Sequence, residues 1–107
     1  MNITIRKPFT PGEILYEEFM LPYSLSQVKL AELIGVERQR IHQIIKGKRA
    51  ITPDTAIRLG KLFHMTPQFW LNLQLKLELW ESLHSPERRD SYEGIQALSL
   101  PFEEKRA

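Results

Sequence analysis

Three times in this chain a threonine stands directly before a proline: Thr10-Pro11, Thr52-Pro53 and Thr66-Pro67. A threonine oxygen can accept the free N–H groups of a first helical turn, and proline at the first helical position loses only an N–H that would have had no partner. The pattern therefore marks helix starts along most of the chain and points to an all-α fold. At Thr10 the signal is completed by Glu13 as a capping box, with Phe9 and Ile14 placed for a hydrophobic staple. The first helix should turn Ile14, Leu15, Phe19 and Met20 inward and stop before Pro22.

Ser26 is the expected cap of a second helix, with Val28, Leu30, Ala31, Leu33 and Ile34 as its apolar positions and Gly35 as its stop. Lys29 stands where an acidic capping partner is preferred, so this start is weaker. A third helix is expected from about Glu37 to Lys46, anchored by Ile41, Ile44 and Ile45, with Gly47 as its left-handed exit. The fourth carries Ala56, Ile57, Leu59, Leu62 and Phe63, and His64 falls where a terminal glycine would be expected. Gly60 inside it costs about 1 kcal/mol relative to alanine, which suggests the close approach of a neighbouring helix.

The fifth segment is ambiguous by pattern. From Leu71 to Leu79 leucine alternates with polar residues, the period of a half-buried strand. Leu, Gln, Lys and Glu are good helix formers, no β-branched residue occurs there, and no comparable strand exists to pair with it. A helix is therefore predicted. Phe69, Trp70, Leu73, Leu77 and Trp80 then share one side, while Leu71, Leu75 and Leu79 form a second apolar row. A helix apolar on two faces must be buried twice, so the second row is assigned to a homodimer interface. Ser85-Pro86 ends this helix, and the charged segment beyond it still holds Tyr92, Ile95, Leu98, Leu100 and Phe102.

At 107 residues the chain has material for one core. No window approaches ~18 consecutive apolar residues, so no membrane partner is expected. The start lacks the pattern of a secretory signal, making cytoplasm the expected compartment. Without cysteine, a disulfide scaffold, a zinc finger and a thiol nucleophile are excluded. The net charge of +2 is unevenly spread. Residues 37–61 hold seven basic side chains against Glu37 and Asp54, while both flanks are mildly acidic. A basic centre of this kind is suited to an anionic surface, the plainer reading being a solvated helix face.

The second and third helices, joined through Leu33-Ile34-Gly35-Val36, form a helix-turn-helix pattern. Anchored by its isoleucines, the third helix must present Arg38, Gln39, His42 and Gln43 outward. Arg is suited to guanine and Gln to adenine, which makes these four the candidate base readers. Candidate contacts to the DNA backbone are Ser26 and Gln27 at the second helix's start, then Arg40, Lys46, Lys48 and Arg49.

Several segments together resemble a known family. They are Phe9-Thr10-Pro11-Gly12-Glu13, Leu25-Ser26-Gln27, Ile34-Gly35-Val36, Arg38-Gln39-Arg40-Ile41, Gly47-Lys48-Arg49-Ala50-Ile51-Thr52 and Phe69-Trp70-Leu71-Asn72-Leu73-Gln74. As an ordered set over roughly residues 6–80 they resemble the HigA/VapI-type antitoxins, lambda-repressor-like helix-turn-helix proteins. The resemblance implies a five-helix fold, a homodimer, and operator binding that represses the antitoxin's own operon. It also implies a partner, a cognate toxin that cleaves mRNA on the ribosome. By the family pattern Arg38, Gln39 and Gln43 read bases, while Ser26, Gln27, Lys46 and Lys48 hold the backbone. Glu37 departs from the Ser or Thr usual there, and Lys29 from the usual acid.

Nothing suggests catalysis. His42, His64 and His84 are about twenty residues apart with no ligand-type neighbour at metal spacing, and no phosphate-cradling glycine loop occurs. No cofactor or metal is expected. The expected organisation is a DNA-binding and dimerisation domain over residues 1–84 and a C-terminal tail over 85–107, with scope for partial disorder. Two alternatives remain at this point: a stand-alone helix-turn-helix repressor, and a toxin-binding module that no longer binds DNA.

Overall fold

The computed structural model describes residues 6–100. Among them every regular element is helical: α1 (Pro11–Ile14), continuing into a π-helical stretch (Leu15–Met20), then α2 (Gln27–Ile34), α3 (Arg38–Ile45), α4 (Pro53–Phe63), α5 (Pro67–Leu83) and α6 (Pro86–Glu93). No helix among the described residues is long and apolar enough to cross a membrane. Thr10 caps α1 with the complete capping box, its hydroxyl accepting from Glu13 N–H at 3.0 Å while the Glu13 carboxylate accepts from Thr10 N–H at 2.7 Å. The Ser26 and Thr52 hydroxyls cap α2 and α4 by accepting from the Lys29 and Thr55 N–H groups, without the reciprocal bond of a capping box. His64 ends α4 in the left-handed region at φ 59°, the role its position predicted. The alternating leucines are helical throughout, as propensity and the lack of a partner strand required.

The core gathers Leu15, Met20, Leu30, Ala31, Ile34, Ile41, Ile44, Ile51, Ala56, Leu59 and Trp70. Phe19 packs on Phe63 and Trp70, both at 4.9 Å between ring centroids, and closes the core at the α1–α5 side. The π-helical stretch was not foreseen. At 100° per residue, Leu15 and Met20 would point about 140° apart in an α-helix. The wider i→i−5 pattern, seen in the Leu21 N–H donating to Tyr16 C=O, brings both into the core.

Several expected burials do not occur. Val28, Leu33 and Ile57 are about half exposed, because no element among the described residues covers the outer side of α2 and α4. Phe9 is 71% exposed, so the predicted staple buries little. Phe69 lies at the core's edge rather than within it. Gly60 is tight chiefly against the connection that leads into the next helix. A Cβ there would lie 2.5 Å from the carbonyl oxygen of Met65 and 3.5 Å from the nitrogen of Pro67, the first residue of α5. Leu71, placed in the outward row, is half-buried against the core, whereas Leu75 and Leu79 remain exposed.

The segment after Ser85 adds a sixth helix to the five expected. α6 packs on the end of α5 with no buried residue, and Ile95 and Leu98 beyond it are exposed. The molecule measures 59 × 31 × 21 Å, and its radius of gyration of 18.3 Å exceeds the ~13 Å of a compact chain this size. Phe102, named with the tail, lies outside the described residues.

Candidate nucleic-acid interface

The helix-turn-helix is fixed from three directions. At the turn, Gly35 adopts φ 74°, and its N–H bonds back to the last turn of α2. The Arg58 guanidinium reaches over from α4 and donates to Ile34 C=O at 2.8 Å, satisfying a carbonyl that the end of α2 leaves open. From below, Ile41 and Ile44 are essentially fully buried and set the rotation of α3. At the exit of α3, Gly12 meets the backbone of the last turn. A Cβ on it would lie 2.8 Å from both the Ile44 carbonyl carbon and Ile45 Cα, and would collide with the Ile44 carbonyl oxygen.

This seating leaves Arg38 and Gln39 exposed and His42 and Gln43 half-buried on the open side of α3. The candidate contacts are linked in pairs. Arg38 Nη1 donates to Gln27 Oε1 at 3.4 Å, joining the starts of α3 and α2. Arg49 Nε donates to Gln43 Oε1 at 2.8 Å, joining α3 to the segment that follows it. Ser26 Oγ accepts from Lys29 N–H at 3.0 Å, so its hydroxyl proton stays available to an incoming oxygen. Lys46, Lys48 and Arg49 are exposed along the connection to α4. Glu37 is the N-cap residue of α3 without a side-chain capping bond.

Arg40 is placed differently. Its Nη1 lies 2.9 Å from Asp54 Oδ2 and 3.4 Å from Thr55 Oγ1, so its charge is answered within the chain. Arg58 shares the same Asp54 oxygen at 2.9 Å. The Arg40 guanidinium, and after it that of Arg58, hold the Asp54 carboxyl below the usual carboxylate range. These are the ion pairs present among the described residues, which leaves Arg38, Lys46, Lys48 and Arg49 as unpaired cations around α3.

Four residues carry weight that their sequence did not announce. Arg58 and Asp54 counted only as charges, although they brace the turn and α3. Gly12 read as part of a cap. Gln74 appeared inside a motif but had no role, yet its Oε1 accepts from Ile51 N–H at 2.9 Å and its Nε2 donates to Glu78 at 2.9 Å.

Residues 17–70 match the model of a helix-turn-helix family. The chain belongs to that family. Among its helix-turn-helix relatives, an uncharacterized HTH-type transcriptional regulator of Haemophilus influenzae is 40% identical over 85% of each chain. Antitoxin HigA-1 of Vibrio cholerae is 38% identical over 77% of each. A solved structure of Pseudomonas aeruginosa antitoxin HigA with the higBA promoter superposes with a TM-score of 0.77 at 34% identity, covering 85% of this chain and 99% of that one. Within the helix-turn-helix family the chain is thus of the HigA/VapI type, as the ordered motifs indicated.

Proposed function

We propose that this protein is a DNA-binding antitoxin that represses its own operon as a homodimer and neutralises an mRNA-cleaving toxin. The observation that carries the reading is α3 itself. Ile41 and Ile44 are sealed into the core, with Ile45 partly buried beside them, while Arg38 and Gln39 stand exposed between unpaired cations. In this reading Arg38, Gln39, His42 and Gln43 face base edges in the major groove. Ser26, Gln27, Lys46, Lys48 and Arg49 hold the sugar–phosphate strands. Arg40 joins them only by exchanging Asp54 for a phosphate. Leu75 and Leu79, with Leu71 at their base, form the dimer contact; residues 1–84 act as one unit and the protein works in the cytoplasm. The promoter-bound state of the Pseudomonas antitoxin supports the DNA part of this proposal.

Co-expression with the neighbouring open reading frame, pull-down and mobility shift on the upstream DNA test it together. The expected result is a retained toxin and a retarded band from the same complex. Absence of any shift, with and without the neighbour, overturns the DNA-binding part. A second reading is a repressor with no toxin, since the Haemophilus relative is named only as an HTH-type transcriptional regulator. A harmless, unbound neighbouring product beside normal operator binding would select it.

A further inference from the structure

We infer that Gln74 is a positioning residue for DNA binding: a neutral latch on α5 that holds the cationic connection between α3 and α4 in its phosphate-facing course. This deepens the DNA-binding proposal and rests on it. The connection runs from Lys46 through Gly47, Lys48, Arg49 and Ala50, all exposed, to Ile51. Its far end is fixed twice. The Ile51 side chain is 3% exposed in the core, and its N–H donates to Gln74 Oε1 at 2.9 Å.

The other end of the Gln74 amide matters equally. Lys48 and Arg49, with Lys7 and Lys46, line a groove of about 410 Å³ that is lined as well by Glu78 and Glu81 of α5. Cations on so short a tether facing two carboxylates would fold across and form internal pairs, leaving fewer charges for an external phosphate. In the structure they do not. Gln74 Nε2 instead donates to Glu78 at 2.9 Å, an i,i+4 bond along α5. One uncharged side chain therefore ties down the connection and engages Glu78, the nearer in sequence of the two carboxylates competing for its cations. A lysine could engage Glu78 but offers no acceptor to Ile51 N–H, and an apolar residue could do neither.

The test is the salt dependence of binding to a mixed-sequence 30-base-pair duplex, measured on the full chain by fluorescence anisotropy. Gln74→Met keeps the length of the side chain and removes both bonds. It should weaken binding about three- to tenfold near 50 mM salt and lower the slope of log K against log salt by about one, the signature of one lost phosphate contact. Exchanging the two residues in the double variant Gln74→Glu/Glu78→Gln restores an acceptor for Ile51 N–H and a donor to it at unchanged net charge. Affinity and slope should return towards the parent. If Gln74→Met lowers the melting temperature but leaves the slope unchanged, Gln74 is only structural and the inference fails. It fails equally if the double variant binds no better than Gln74→Met. If the parent itself shows no salt-dependent binding, the DNA-binding proposal falls first and the latch with it.

Discussion

In the proposed reading, side chains around α3 do two distinct jobs, and single substitutions separate them. Gln39 is exposed and without an internal partner, so its contribution on DNA should be to base discrimination. Gln39→Ala is expected to cost about 1–3 kcal/mol on the operator and little on random duplex. Lys48→Ala should weaken both alike and flatten the salt slope by about one. Competition binding with operator and random DNA at several salt concentrations checks the pair; equal losses for Gln39→Ala would remove it from the base readers. Asp54 adds a pH dependence. Its pKa is lowered by Arg40 and Arg58, so the stability it contributes is present above the ordinary value near ~3.9 and is lost as pH falls through the lower folded value. Asp54→Asn should therefore melt below the parent at pH 7, with the difference shrinking towards pH 3. A constant gap across that range would mean the two arginines do not perturb it.

Among the elements, α1 and α3 are joined by backbone contact at Gly12. Gly12→Ala should destabilise the domain by about 2–3 kcal/mol through overpacking, visible in chemical denaturation, and should also displace the exit of α3. A variant as stable as the parent would show that the corner yields. The helix starts were legible because capping is local: Thr10, Ser26 and Thr52 each bond a backbone N–H three residues ahead. Helix type at 71–79 was legible from propensity together with the lack of a second strand. The exposure of Val28, Leu33 and Ile57 was not, because an apolar residue carries no mark of whether another element will cover it. The bracing by Arg58 and the latch at Gln74 join positions more than twenty residues apart, and no short-range pattern encodes such pairs. The outward positions of α3 were readable for the opposite reason: three isoleucines at helical spacing leave its polar residues one side to occupy.

For the whole molecule, the prediction concerns assembly. An exposed Leu75 and Leu79 on α5 suit a two-fold dimer that sets two α3 helices about 34 Å apart, one duplex turn. Leu75→Glu should shift sedimentation towards the monomer at unchanged helicity and reduce operator affinity more than affinity for a half-site. A persisting dimer would move the contact to the uncovered side of α2 and α4, where Leu33 and Ile57 are exposed.

The absence of a side chain at position 12 has an evolutionary corollary. Because the corner between the first helix and the end of α3 is made of main chain, its shape does not depend on which residues project from α3 into solvent. Positions 38, 39, 42 and 43 can then be exchanged as a set without rebuilding that corner, at the loss only of the side-chain bonds that Arg38 makes to Gln27 and Gln43 to Arg49. A chain of this design can drift to a new operator while keeping its architecture, and grafting those four positions from a relative should transfer that relative's sequence preference.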